Sequence, residues 1–252
     1  MDNAPGRDVT PGTTLSPERT VAPGTRIVIV RHGEAVSNAE EIVAGHLGCQ
    51  GLTDRGRRQV EALALRLAAT CELAGAAALY SSVLPRALET AEILAPVLGG
   101  LSITATCELC ERHPGVADGL SWAKCDELYG RLLPGDHPEQ PLSPGGESWA
   151  GFIERAALAL VDVALSNPGG LVVIAGHGGI VDASMIRLLE IPDKGGRVRL
   201  HPDNSSLTEW AYTGERWWLV RFNDAAHLDP AQGYTRESLR IPPPQGVTSS
   251  AG

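Results

Sequence analysis

The chain of 252 residues is 43% hydrophobic, only 4% aromatic, and carries a formal net charge of −9. An acidic balance of that size excludes general attachment to nucleic acid or to anionic lipid, but not a local arginine cluster that takes a small anion. No run approaches the roughly 18 apolar residues that a bilayer demands, and with so few aromatics the core must rest on Leu, Val, Ile and Ala.

Residues 1–24 are rich in Pro, Thr and Gly and lack the apolar centre of a signal peptide, so a flexible arm and, by default, a cytoplasmic protein are expected. Residues 26–30, with the apolar run Ile27-Val28-Ile29-Val30, read as a fully buried strand that passes directly into Arg31-His32-Gly33-Glu34. Residues 34–50 read as loop. Thr53 or Asp54 can cap a helix reaching about Cys71, with Val60, Leu63 and Leu67 on one face. A short strand over 77–80 ends in Ser81-Ser82. A helix is expected from Arg86 to Leu98, stopped by Gly99-Gly100, and a third strand over 101–106.

Prolines 114, 134, 138, 141 and 144 make residues 107–146 irregular, and such a long segment in a compact domain is expected to serve a purpose such as a lid. An amphipathic helix follows over 147–167, with Phe152, Ala156, Leu160 and Val163 inward. Residues 171–175 repeat the buried-strand pattern and run into His177-Gly178-Gly179, which opens a helix over 180–189. Residues 207–212 and 217–222 alternate as a hairpin, and residues 236–252 are expected to be a flexible tail. Strand and helix alternate throughout, so the expected fold is a single α/β domain over 25–235. Its architecture is a three-layer α/β/α sandwich with a mostly parallel central sheet.

Two buried strands thus end in a His-Gly pair, and the carboxyl edge of an open α/β sheet is where ligands bind. A lone His-Gly is ordinarily a turn. Two of them with Arg31 and Arg86 point to phosphoryl transfer. A neutral imidazole is a competent nucleophile whose phosphoramidate breaks down readily, and His32 is the candidate for it. Guanidinium groups at Arg31 and Arg86 can each grip phosphate oxygens with paired donors. His177 would donate a further hydrogen bond, best when protonated. The Gly178 backbone N–H, at a helix start, and Asn38 and Ser37 are candidate substrate-binding groups. Glu34 either touches substrate or orients its loop. Arg55, Arg57 and Arg58 read as an exposed helix turn, and His46, His113, His137, His201 and His227 as solvated loop residues.

On Arg31-His32-Gly33-Glu34 the chain resembles the histidine phosphatase superfamily, the phosphoglycerate-mutase-like group. The resemblance continues through Asn38; through Gly45, Leu52-Thr53, Gly56 and Gln59; and, in outline, through Ser81, Arg86-Ala87 and Thr90-Ala91. It runs on through Leu109-Cys110-Glu111 with Gly115 and Gly119, Gly145-Gly146-Glu147-Ser148, His177-Gly178-Gly179 and Asn204-Ser205-Ser206. The resemblance implies a phosphoglycerate-mutase-like fold, a phosphohistidine on His32 and Glu111 as proton donor to the leaving alkoxide. Departures from the family pattern are Ala35 where Ser or Thr is common, Cys110 before the acid, Asp118 before a glycine, and no Asp before Leu52-Thr53. They fall mostly in loops facing substrate.

The resulting expectation is a metal-independent, histidine acid phosphatase-type phosphomonoesterase acting on a small-molecule phosphate ester. The alternatives are a phosphomutase and a phospho-ligand binding protein without turnover. Family mutases carry a long insertion after the acid, whereas only residues 112–146 lie between Glu111 and Glu147 here, which favours hydrolysis. Trp122, Leu120, Leu132 and Leu133 are expected to give the pocket apolar contact. No cofactor, nucleic acid or membrane partner is expected. Trp217-Trp218 would support a homodimer interface, although the core is the commoner place for an indole. The cysteines are 49, 71, 107, 110 and 125, an odd number, so no disulfide framework is expected. Cys107-x-x-Cys110 with Cys125 offers metal ligands and His113 is the nearest further one. Without a second CxxC or a clean His pair, the thiols are read as structural.

Overall fold

In the computed structural model, residues 24–131, 137–191 and 200–228 are described, and the arm, the tail, Leu132 and Leu133 fall outside them. The elements in chain order are β1 (Thr25–Arg31), α1 (Val36–Ala39), α2 (Asp54–Thr70), β2 (Ala78–Ser81), α3 (Pro85–Leu94), β3 (Ile103–Ala105), α4 (Trp122–Tyr129), α5 (Trp149–Ser166), β4 (Leu171–Gly176), α6 (Gly178–Leu188), β5 (Leu207–Tyr212) and β6 (Trp217–Asp224). One six-stranded sheet has the order β3-β2-β4-β1-β5-β6. β3, β2, β4 and β1 run parallel, while β5 and β6 close one side antiparallel.

The alternation of side chains along a strand explains the layers. Ile27 and Ile29 of β1, with Val172 and Ile174 of β4, face Phe152, Leu160 and Val163 of α5 and Ile180 of α6. Val28, Val30, Val173 and Ala175 point the other way, onto Leu63 and Leu67 of α2 and Ala91 and Leu94 of α3. Each central strand is buried on both faces, so its sequence is a continuous apolar run rather than an alternating one.

Helix ends follow local chemistry. Thr53, Ser121 and Ser148 cap α2, α4 and α5 by accepting from Gly56, Lys124 and Gly151 backbone N–H groups. Pro85 sits in the first turn of α3, where its missing N–H costs nothing. The helix expected to run to Leu98 ends at Leu94 and tightens into a 3-10 turn over Ala95–Leu98, because Pro96 cannot donate the next helical bond. The stretch expected to be irregular contains α4, which the periodicity did not reveal because it buries only Cys125. Leu120, expected at the pocket, packs instead with Val43, Ala117, Cys125 and Leu142. Trp217 stacks on Tyr212 with ring centroids 4.7 Å apart, whereas Trp218 is exposed. Among the described residues no helix is long and apolar enough to cross a membrane.

An ion-pair network ties the end of α2 to β6. Arg66 reaches Glu72 at 2.7 Å and Asp224 at 2.6 Å, and Arg221 reaches Glu72 at 2.6 Å and Asp224 at 3.1 Å. The hydrogen bond from Arg66 holds the Asp224 carboxyl well below the usual carboxylate range. Burial pushes Glu72 up, but Arg221 and Arg66 outweigh it and leave it lowered. A carboxylate whose folded value is depressed stabilises the fold above its unfolded value and loses that contribution as pH falls. Stability is therefore expected to decline below about pH 4. Asp224→Asn should cost about 1 kcal/mol at neutral pH and flatten that acid limb, read from urea midpoints across pH.

Candidate active site

β1 and β4 are neighbours with Arg31 and Gly176 in register, so the chain leaves both strands at the same height. The His32 backbone N–H then donates to the Gly176 carbonyl at 2.9 Å. This pairing places the residues after the two strands side by side. The rings of His32 and His177 lie 5.3 Å apart, edge to face.

The loop after β1 is packed against the start of α2 more closely than any side chain allows. A β-carbon on Gly33 would meet the Gly56 carbonyl oxygen at 2.4 Å, and one on Gly56 would meet the Glu34 carbonyl oxygen at 2.0 Å. Asn204 donates to the His32 carbonyl at 3.0 Å, and Thr90 accepts from the Gly33 N–H at 3.3 Å. The backbone beneath His32 is thereby held from β1, α2, α3 and the segment before β5.

The His32 ring is oriented by its own neighbour. Nδ1 lies 2.7 Å from the Gly33 carbonyl oxygen, which can only accept, so Nδ1 carries the proton and Nε2 keeps the lone pair. Nε2 receives the Arg86 Nε–H at 3.2 Å. Burial, then Arg86 and Arg31, lower the His32 pKa well below its ordinary value, against the Gly33 bond. A neutral imidazole with its free lone pair turned toward a guanidinium is poised to attack an electrophile brought by that guanidinium.

Arg86 also donates to the Ala44 carbonyl at 3.1 Å, which fixes its plane. Arg31 donates to the Pro202 carbonyl. His177 is fully buried, and neither ring nitrogen has a hydrogen-bond partner among the described residues. Burial, followed by Arg86, His32 and Arg31, lowers its pKa well below the ordinary value. The same causes disfavour the protonated form of His177 while no anion is bound. Buried polar atoms are rarely left unpaired, and an orphan imidazole beside two guanidinium groups marks a place for an anion.

A cavity of about 620 Å³ opens here, with His177 buried behind its wall rather than lining it. Arg31, His32, Arg86, Glu111 and Gly178 line it, as do Ser37 and Asn38. Asn38 Oδ1 accepts from the Ala35 N–H at 3.0 Å, which makes its Nδ2 amide the end able to donate. Glu111 accepts from the Gly179 N–H at 3.0 Å through one oxygen and from the Arg112 N–H at 3.1 Å through the other. Gly179, unremarked in the sequence beyond its motif, is what makes room: a β-carbon there would meet a Glu111 oxygen at 2.1 Å.

Of the two readings of Glu34, substrate contact or loop anchor, its side-chain contacts are those of a loop anchor. Its carboxylate accepts from Thr53 at 2.8 Å and Arg55 at 3.0 Å, and it is absent from the cavity wall. Arg55 is exposed, as expected of that helix turn, and its ion pair to Glu34 at 3.0 Å runs along the surface. Trp122 lines the cavity as expected, joined by Trp149, Leu142 and Arg112, which the sequence did not single out, and by His201, which it had read as a solvated loop residue. The side chains suited to bind a transition metal, His46, Cys107, Cys110 and His113, gather beside the cavity rather than in its wall.

Residues 27–225 match the family model of the histidine phosphatase superfamily, branch 1. Among known proteins, the chain is 31% identical over 208 residues to phosphoglycerate mutase-like protein 4 of Arabidopsis thaliana, covering 81% of this chain and 86% of that protein. It is 29% identical over 208 residues to a metal-independent phosphoserine phosphatase of the same plant, covering 81% and 83%. Among solved structures, a mycobacterial glucosyl-3-phosphoglycerate phosphatase complexed with VO3 superposes with a TM-score of 0.66 at 28% identity, covering 79% of this chain and 99% of that one. The sheet order, the paired imidazoles and the match across most of the chain converge: this protein belongs to the histidine phosphatase superfamily.

Proposed function

We propose that the protein is a phosphatase that hydrolyses a small-molecule phosphomonoester through a phosphohistidine on His32. The observation that carries the reading is the His32 imidazole, its Nε2 lone pair facing Arg86, with the His177 ring 5.3 Å away and without a hydrogen-bond partner among the described residues. Relatives named as phosphatases support it.

The phosphoryl group would be gripped by Arg31, Arg86, His177 and the Gly178 N–H at the start of α6. His32 Nε2 attacks phosphorus in line with the ester oxygen, forming the N–P bond as the P–O bond breaks. Glu111 gives its proton to the departing alkoxide. Water then attacks the phosphohistidine, losing a proton to Glu111, and His32 is regenerated with release of inorganic phosphate. The transition state carries spread negative charge, so positioning and cationic donors supply most of what the step needs without a metal.

Hydrolysis is favoured over mutase action. A mutase must shield its phosphohistidine long enough to return the group, and between Glu111 and Glu147 the described residues hold only a 3-10 turn over Gly115–Ala117 and the short helix α4. Trp122, Leu142 and Trp149 give the cavity an apolar wall beside the arginines, suiting an ester with an uncharged or partly apolar body. A panel of metabolite phosphates tests the reading. Phosphate release should exceed transfer between phosphoglycerate isomers; faster transfer would establish the mutase instead.

Glu111→Gln removes the proton but keeps the shape. It should lower kcat on alkyl phosphates by about 10²–10⁴-fold. An aryl phosphate with a good leaving group needs no such proton in the first step and should suffer less. Equal losses on both substrates would take Glu111 out of the leaving-group role.

A further inference from the structure

Four ligand-type side chains meet outside the cavity. His46 comes from the loop after α1, Cys107 and Cys110 from the 3-10 turn after β3 and its end, and His113 from two residues beyond Glu111. Cys107 Sγ lies 3.0 Å from Cys110 Sγ, 3.4 Å from His113 Nε2 and 3.5 Å from His46 Nε2. All four ligand atoms fall within 4.8 Å of one another. In a tetrahedral zinc site, bonds of about 2.3 Å to sulfur and 2.0–2.1 Å to nitrogen set ligand atoms roughly 3.4–3.8 Å apart. Small side-chain rotations would bring this quartet to that spacing.

We propose that His46, Cys107, Cys110 and His113 bind one Zn²⁺ in a closed Cys2His2 site. Two thiolates with two imidazoles are a donor set that selects zinc over the hard cations. Four protein ligands fill a tetrahedral sphere, so the site is structural and leaves no open position for substrate. Cys125, the third cysteine suggested by the sequence, lies in a separate apolar cluster, and His46 supplies what the spacing lacked.

The surroundings fit a metal ligand set. With Nε2 of His113 turned to Cys107, its Nδ1 lies 4.0 Å from Glu147 Oε2, the place where ligating histidines have a carboxylate behind them. Glu147 also accepts the His113 backbone N–H at 3.2 Å and is held by two 2.8 Å hydrogen bonds from Arg155. Arg155 donates further to the carbonyls of Cys107, Glu108 and Cys110, pinning the turn that presents both sulfurs. A disulfide between Cys107 and Cys110 would use the two sulfurs but gives no reason for two imidazole nitrogens to converge on one of them.

The metal would join two walls of the cavity. His46 lies two residues from Ala44, which receives Arg86, and Cys110 and His113 flank Glu111. The metal site stands on its own geometry; only this consequence for the active site rests on the phosphatase reading.

The test uses the full chain purified under reducing conditions. Elemental analysis should find one zinc per chain. Protein stripped by a chelator and reloaded with Co²⁺ should show the intense visible bands and thiolate charge transfer of tetrahedral cobalt. Cys110→Ser should abolish that spectrum. His46→Ala, at an exposed loop residue where folding is least at stake, should weaken zinc binding at least tenfold, while Cys71→Ser changes nothing. If the reduced wild-type chain takes up neither ion, with or without a 107–110 disulfide after oxidation, the proposal fails. A cobalt spectrum unchanged in both ligand variants also overturns it. A His32→Ala protein that keeps one zinc per chain separates this result from the fate of the phosphatase reading.

Discussion

Replacing His32 by alanine is expected to lower kcat by a factor on the order of 10⁴ or more on every phosphate ester, because it removes the atom that forms the covalent bond. The fold should survive, since the bonds that hold this loop come from its backbone: His32 N–H to Gly176, and Asn204 and Ser205 to the His32 carbonyl. Rapid acid-free quenching of the wild-type enzyme with a labelled ester should trap a phosphohistidine that the variant lacks. A variant with wild-type hydrolysis would remove His32 from the nucleophile's role. The pH dependence carries a second expectation. Burial, Arg86 and Arg31 lower the pKa of the free-enzyme imidazole, so it remains neutral as pH falls through its ordinary value of about 6.5. The acid limb of kcat/KM, which reports free-enzyme groups, should therefore lie below that pH.

Arg86→Ala should have the next largest effect, a loss of about 10²–10³-fold in kcat, the scale seen when one donor to a developing anion is deleted. Arg86 is buried, faces His32 Nε2 and is braced by the Ala44 carbonyl, so its fork is pre-aimed rather than recruited. Arg86→Lys keeps the charge but not the paired donors, and should recover only part of the loss. The sign of the pH effect is also defined. Arg86 is the largest charge lowering both imidazoles, so its removal lets His32 and His177 take up protons at higher pH. The acid limb of kcat/KM should move upward in Arg86→Ala. An unmoved limb together with unchanged kcat would show that Arg86 does not act on the reacting group.

Much of the framework was legible because it is written in short windows. Residues 27–30 and 171–175 are unbroken apolar runs, as expected of strands covered on both faces, and both are central in the sheet. Thr53 and the Val60-Leu63-Leu67 stripe announce α2 from its cap to its core face. Where local signals are weak the reading failed: α4 buries a single residue and has no stripe, and Pro96 ends a helix whose apolar pattern continues. Glu34 stands next to the nucleophile in sequence, yet its carboxylate is drawn to Thr53 and Arg55, because the chain turns after Gly33.

The chain's own sequence determined which residue types stand at the ends of its buried strands: two imidazoles, with guanidinium groups near, and hence a chemistry suited to phosphate. Only the tertiary structure decided that the imidazoles meet, through the register that sets Arg31 beside Gly176. It also decided that the pKa of both is lowered, since desolvation depends on what surrounds a ring and not on its neighbours in the chain. The convergence of His46 on Cys107, Cys110 and His113 belongs to the same class. Helices and strands arise from interactions over a few residues, whereas a site arises from the order and register in which distant segments pack.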